Sequence, residues 1–411
     1  MPTPAAVLKK KAAAKNPPIF SHDFIIQNHG DITSGILMVL AVGTIFQVTS
    51  SYCTAFFGPS HNITNLNAID RSTVLLFNYG YKDLAMLFAY TLVCITIHAI
   101  WQEYVLDKIY KRLHLSKSKN EKLFESGQLI LFYIISVLWA FMLFKDEGYL
   151  QSGLDYLWRD YPYVGMTTWT KLYFIIQISY WLHNYPELYL QKVRKEDISS
   201  RIIYTSLYLI VILYSYLTRF WRISIILLTI HYLIEIFYHS SRLAYFYTNA
   251  KTNSNTAKTV SKKLFQVWNC SFIFGRLVSV VLIWLTFWFG LKSSSVDSVS
   301  FLSTPLANSN DNNDALPETV FISNFNTPFV RFVTLILSGT LQFWLVWNFI
   351  QFHMKRRRDR NSTQTTVIAS PKTPKLKQKQ QDLAQSKSEN DETTEQVAQP
   401  AASGRGNKKG N

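Results

Sequence analysis

The chain has 411 residues, 48% of them apolar and 15% aromatic against 17% charged, a composition that excludes a disordered protein and argues against an ordinary soluble enzyme. The apolar residues come in long blocks and not at helix or strand period, which is the pattern of membrane-spanning segments. The formal charge of +16 does not point to nucleic acid, because Lys and Arg sit at the block edges and in the C-terminal tail, where they read as topology.

Residues 1–31 form a polar segment with Lys9, Lys10, Lys11 and Lys15 ahead of Pro17 and Pro18. No short apolar core with a small-residue cleavage site occurs there, so no cleaved signal peptide is expected. Eight apolar blocks follow: Ile32 to Tyr52, Leu84 to Trp101, Leu129 to Phe144, Met166 to Leu182, Ile202 to Leu217, Ile223 to Tyr238, Val267 to Leu291 and Phe329 to Phe352. The expected fold is therefore all-α, a polytopic integral membrane protein whose bundle of about eight transmembrane helices spans residues 32–352. Blocks three to six have only 16 or 17 residues, about 24–26 Å of helix against a hydrocarbon core of about 30 Å, which predicts a short middle. After block two, Leu106, Ile109, Tyr110 and Leu113 recur at helical spacing among Lys108, Lys111 and Arg112, either as a basic amphipathic helix at the interface or as an extension of the second span. The loop from Lys292 to Pro328, rich in Ser, Asn and Asp, is expected to be flexible. Residues 353–411 open on Lys355, Arg356, Arg357 and Arg358 and continue without an aromatic residue, which predicts a disordered tail lying against anionic headgroups.

With the N-terminus in the cytosol, the cytosolic segments hold 32 of the 42 Lys and Arg residues, so both termini are expected there. That orientation puts the sequon Asn62-Ile63-Thr64 in the first lumenal loop, where N-glycosylation of Asn62 is expected. The sequons at Asn269 and Asn361 fall within a helix and in the cytosol. Cys53, Cys94 and Cys270 lie in or at the rim of apolar blocks and support neither a disulfide framework nor a thiolate metal site.

Block six carries His231, Glu235 and His239 at i, i+4 and i+8, with Arg242 beyond, a spacing that puts the first three on one stripe. His98 in block two, His183 at the end of block four and Arg276 in block seven are further ionisable groups at or near membrane depth, where such residues face protein or a water-filled cavity. Three readings compete. The stripe is a satisfied network with Glu235 paired to Arg276, a wet cytosol-facing groove for polar parts of a peptide or lipid, or a catalytic or metal site. H-E-x-x-H is absent and no other ligand set is visible, so neither metal nor cofactor is expected.

Four segments in order, SHDFIIQNHGDI (21–32), QEYVLDKIYKRLHLSKSKNEKLFESGQL (102–129), YWLHNYPELYLQKVRKEDI (180–198) and HYLIEIFYHSSRLAYF (231–246), resemble the translocating chain-associated membrane protein (TRAM) family within the TLC domain class. The resemblance implies a TLC-like core over about 102–352, residence in the endoplasmic reticulum membrane, and a non-enzymatic role beside the Sec protein-conducting channel. Its partners would be nascent chains with signal sequences or transmembrane segments, and membrane lipids. The terminal Lys408-Lys409-Gly410-Asn411 resembles a dilysine retrieval signal. The same class includes ceramide synthases, which makes a lipid-binding or acyl-transferring protein the alternative. Their pattern places paired histidines after a basic-acidic motif like Arg194 to Asp197, but here Tyr204 and Thr205 stand in that place, which removes the expected base, so no catalytic residue is expected.

Overall fold

The computed structural model describes residues 18, 21–64, 74–113, 116–250, 255–293 and 324–368. Lys408 and Lys409, most of the loop before the last helix, and the tail beyond 368 lie outside the described residues.

The described residues form eight long helices: α1 (His22–Gly43), α2 (Asp83–Trp101), α3 (Lys117–Asp146), α4 (Thr168–Leu190), α5 (Lys195–Leu217), α6 (Trp221–Ala250), α7 (Asn255–Trp284) and α8 (Pro328–Ile368). Two of them run on through π-helical stretches, α2 through Gln102–Leu106 into Asp107–Leu113 and α7 through Leu285–Gly290 to Leu291–Ser293. Seven are long and apolar enough to cross a membrane; the exception is α4. That helix carries Lys171, Gln177, His183 and Glu187, all buried, so its polar groups are covered by neighbouring helices and not by lipid. The protein is thus an all-α polytopic membrane protein.

Side-chain pairs fix the helix directions. Asp83 meets Lys171 at one end of α2 and α4 while His98 meets His183 towards the other, so these two run parallel. Glu125 at the start of α3 meets Arg242 late in α6, and Asn269 and Arg276 of α7 meet His353 and Gln342 of α8, so these pairs run antiparallel. The start of α1, held by Asp23 to Lys192 at 3.0 Å, and the end of α8 share one end of the bundle.

The opposite end is closed by a polar cap. A two-stranded antiparallel ladder joins β1 (Leu76–Phe77) to β2 (Met166–Thr167), with Asn62 bridged to Phe77. Lys171 lies under it, its ammonium 2.7 Å from Asp83 and donating to the carbonyls of Ser60 at 2.8 Å and Asn78 at 2.7 Å. Arg219, in the turn between α5 and α6, donates to the Tyr163 carbonyl at 2.8 Å and to Asn78 Oδ1 at 2.8 Å, and burial lowers its pKa. Arg222 lies between the rings of Tyr156 and Tyr163, 4.0 Å from each centroid. Between the cap and the terminal end, the core is aromatic: Trp181 stacks on Tyr208 at 3.9 Å and Tyr133 on Tyr232 at 4.8 Å.

Several boundaries differ from those the hydropathy predicts. The first helix starts at His22 inside the polar segment, capped by Ser21, and ends at Gly43; Gln47–Cys53 is a separate short helix. Helices α3 and α6 have 30 residues each, and α4 and α5 have 23, so the middle of the bundle is not short. Hydropathy measures the apolar stretch, whereas Lys, Glu and Gln at the interface are good helix formers and carry the hydrogen-bond ladder further. The basic stretch after block two continues α2, with Leu106 and Leu113 packed inward. Likewise α8 continues past Phe352 to Ile368.

Candidate functional site

The stripe on α6 faces α5 and α7. Arg276 donates through Nη2 to Nδ1 of His231 at 2.5 Å and through Nη1 to Oε1 of Gln342 at 3.3 Å. An arginine only donates, so Nδ1 accepts and the imidazole carries its proton on Nε2, which bonds the Tyr208 hydroxyl. From there the hydroxyls of Tyr208 and Tyr204 meet at 3.1 Å, and those of Tyr204 and Tyr133 at 3.2 Å. One directed chain therefore crosses α7, α6, α5 and α3.

Glu235 sits one turn below, its carboxylate 4.0 Å from His231 Nδ1 and 3.8 Å from His239 Nε2. The expected direct pairing of Glu235 with Arg276 is absent among the described residues: both groups approach Nδ1 of His231, and the guanidinium takes it. Arg242 turns away from the stripe, reaching Glu125 at 3.5 Å.

His98 and His183 lie in a separate cluster. His98 Nδ1 is 3.3 Å from His183 Nε2, and His98 Nε2 is 2.6 Å from the Gln191 amide and 3.8 Å from Glu187. The other nitrogen of His183 bonds the Tyr180 carbonyl. A cavity of about 70 Å³ bordered by His98, Glu187, Gln191, Arg201, Thr205 and the chain member Tyr204 lies between this cluster and the tyrosine chain.

A larger, apolar groove of about 590 Å³ opens beside the terminal end of the stripe, lined by Trp101, Leu106, Gly127, Leu243, Tyr247 and Val260 among others. The π-helical stretch of α2 shapes one wall. A Cβ at Gly127 would come within 2.5 Å of Leu106, so glycine there lets α2 and α3 approach closely.

Of the residues singled out from sequence, His231, Glu235, His239 and Arg276 thus share one network, His98 and His183 share another, and Arg242 belongs to an ion pair between them and the groove. Asn62 is exposed on the cap, its Oδ1 accepting from the Thr64 amide at 2.9 Å. Sequence reading missed Tyr133, Tyr204, Tyr208 and Gln342 as members of the first network, and Glu187 and Gln191 as members of the second. The i, i+4 spacings of Tyr204 with Tyr208 and of His183 with Glu187 are signals that could have found three of them.

A polytopic helical bundle with a buried ionisable layer is the class this architecture defines. The TLC domain family matches over residues 122–351, and the chain belongs to that family. It is 38% identical to translocating chain-associated membrane protein 2 of Homo sapiens over 362 residues, covering 88% of this chain and 89% of the relative. The corresponding Mus musculus protein is also 38% identical, over 363 residues covering 88% of this chain and 90% of the relative. A more distant similarity, 25% over 123 residues, links it to a sphingosine N-acyltransferase-like protein of Alternaria alternata, covering 29% of this chain and 28% of that one.

Proposed function

We propose that this protein stands beside the protein-conducting channel of the endoplasmic reticulum, with both termini cytosolic, and eases the entry of signal sequences and transmembrane segments into the bilayer. The observation that carries this reading is an ionisable stripe and a lateral apolar groove at the same end of the bundle. The side chains of His231 and Glu235 keep 13% and 18% of their surface, and Leu243 and Tyr247, further along the same helix, line the groove. The groove's apolar lining suits a few apolar side chains of a nascent segment, while the Glu125–Arg242 pair and the stripe offer polar partners to its charged flanks. Placing a Lys, Arg or Asp at the bilayer centre costs roughly 2.5–3.5 kcal/mol. Lowering that cost by about 1.4 kcal/mol shifts a partition tenfold. Membrane lipids border the same surface. The mechanism needs no catalytic residue, nucleotide or cofactor.

Support comes from the relatives' name, which describes association with translocating chains, and from the groove's apolar lining. A photo-crosslinking amino acid at Leu243 or Tyr247 should label the signal sequence of a stalled nascent chain, and one at lipid-facing Phe343 should not. Absence of groove labelling, or equal labelling from both faces, would overturn the reading.

The alternative, a lipid-binding or acyl-transferring protein, is favoured by the fungal N-acyltransferase-like relative. Against it, Tyr204 and Thr205 replace the paired histidines, and the Tyr204 phenol is committed to Tyr133 and Tyr208. Acyl-CoA turnover by the purified, lipid-free protein would establish that alternative.

A further inference from the structure

We propose that His98, His183 and Glu187 form a binding site for a divalent transition-metal ion, zinc being the best fit, that fastens α2 to α4 inside the bundle. The inference stands apart from the insertion reading, because it rests on a different cluster.

One ligand atom from each of the three residues lies within 4.8 Å of the others, and all three residues are buried. His183 is already oriented as a ligand: its Nδ1 bonds the Tyr180 carbonyl, which leaves Nε2 as a bare lone pair directed into the cluster. That lone pair is 3.3 Å from His98 Nδ1. Two nitrogens bound tetrahedrally at about 2.0–2.1 Å from one zinc stand about 3.3–3.4 Å apart, so the imidazole edge has the required length before any movement. Glu187 follows His183 by one helical turn, which puts its carboxylate on the same face.

A metal-free explanation accounts for only part of this. His98 can donate from Nδ1 to His183 and accept at Nε2 from the Gln191 amide at 2.6 Å, which satisfies both rings. Glu187 then has no role. It is buried, the Gln191 amide approaches its carboxylate without making a hydrogen bond of good geometry, and its one ion-pair partner within 4.0 Å among the described residues is His98, at 3.8 Å. A buried carboxylate with no cation and only a poorly aligned donor is costly, and a cation held by the two imidazoles supplies what it lacks. Two nitrogens and one carboxylate suit zinc and cobalt, whereas calcium and magnesium take mostly oxygen ligands. Metal on His98 Nδ1 leaves the proton on Nε2, where the Gln191 amide accepts it through its oxygen, and the cavity of about 70 Å³ touching His98 and Glu187 leaves room for a water as fourth ligand.

The test uses the full chain in detergent, stripped with EDTA and returned to zinc or cobalt. The expected result is one zinc per chain by mass spectrometry of the metal, a tetrahedral cobalt visible spectrum, and a melting temperature raised by zinc. Glu187→Gln and His98→Gln should each weaken zinc binding by at least about 100-fold, beyond the 10–100-fold typical of supporting residues. Both variants should lose the zinc-dependent rise in melting temperature while eluting like the unmodified protein. The proposal is overturned if the unmodified protein takes up no zinc and shows no tetrahedral cobalt spectrum, or if Glu187→Gln binds zinc equally well. Because the unmodified chain decides the first point by itself, a variant that fails to fold leaves the result readable.

Discussion

Replacing Lys171 by methionine removes the charge at the centre of the cap while nearly keeping the side-chain volume. In the native protein the ammonium is fully buried, 2.7 Å from Asp83 Oδ1, and donates to two backbone carbonyls. Asp83 also accepts at Oδ2 from the Gly80 amide and the Tyr216 hydroxyl, each at 2.9 Å. Lys171→Met therefore leaves a carboxylate with two neutral donors and no cation, a change that costs about 3–5 kcal/mol in buried pairs. Taking about 2 °C per kcal/mol, the lower slope observed for domains of 150–250 residues, the melting temperature should fall by about 6–10 °C. Asp83→Leu alone should cost a similar amount, because it strands the ammonium. The double variant should recover at least about 2 kcal/mol of the summed loss, since apolar replacement of a whole buried pair is often neutral. Differential scanning fluorimetry on the four proteins in one detergent completes the cycle. If Lys171→Met melts within 2 °C of the unmodified protein, or if the two single losses simply add, the pair does not hold the cap together and the reasoning fails.

Three further outcomes follow from other parts of the molecule. Asn62 is exposed beside the cap and is the only sequon that the proposed topology makes lumenal, so endoglycosidase should remove one glycan's mobility and Asn62→Gln should abolish the shift; a glycan persisting in that variant would reverse the loop assignment. Gly275→Leu puts a Cβ 2.6 Å from Ile234 and 3.2 Å from Ile230 and should destabilise the α6–α7 contact by about 1–3 kcal/mol, read as a lower melting temperature, whereas Gly339→Leu, where a Cβ meets nothing within 4 Å, should not. Replacing His231 and Glu235 together by glutamine keeps hydrogen-bonding groups on the stripe and removes its titration. The variant should stay folded and insert weakly hydrophobic signal sequences less efficiently, with strongly hydrophobic ones little changed, as scored by signal cleavage in reconstituted vesicles.

Hydropathy located the membrane helices because a span must be apolar wherever lipid touches it, and this holds for seven of the eight. The same logic misjudged their ends. His22 to Asp31 and Lys117 to Gln128 are helical although polar, since nothing about leaving the bilayer stops the hydrogen-bond ladder. The helix α4 shows the converse, for its buried Lys171, Gln177, His183 and Glu187 dilute the apolar signal because protein, not lipid, surrounds them.

The composition of the stripe on α6 was legible, because i, i+4 and i+8 fix a face whatever the neighbours are. Its partners were not, because a partner is chosen by the register between helices far apart in sequence. Charge alone pairs Glu235 with Arg276, yet the bundle sets Arg276 against His231 and Gln342, and completes the chain with three tyrosines that composition would class as core. The two buried carboxylates Asp83 and Glu187 make the physical distinction plain. Asp83 meets an ammonium, a hydroxyl and an amide, so its burial is accounted for within the fold. Glu187 has the His98 imidazole at 3.8 Å and no hydrogen bond of good geometry, so the fold leaves its burial without a countercharge, and the proposed metal site would supply one. Both are acidic residues at helical positions in the sequence; what separates them is whether the fold supplies the countercharge, and that becomes visible only when α2 and α4 are set side by side.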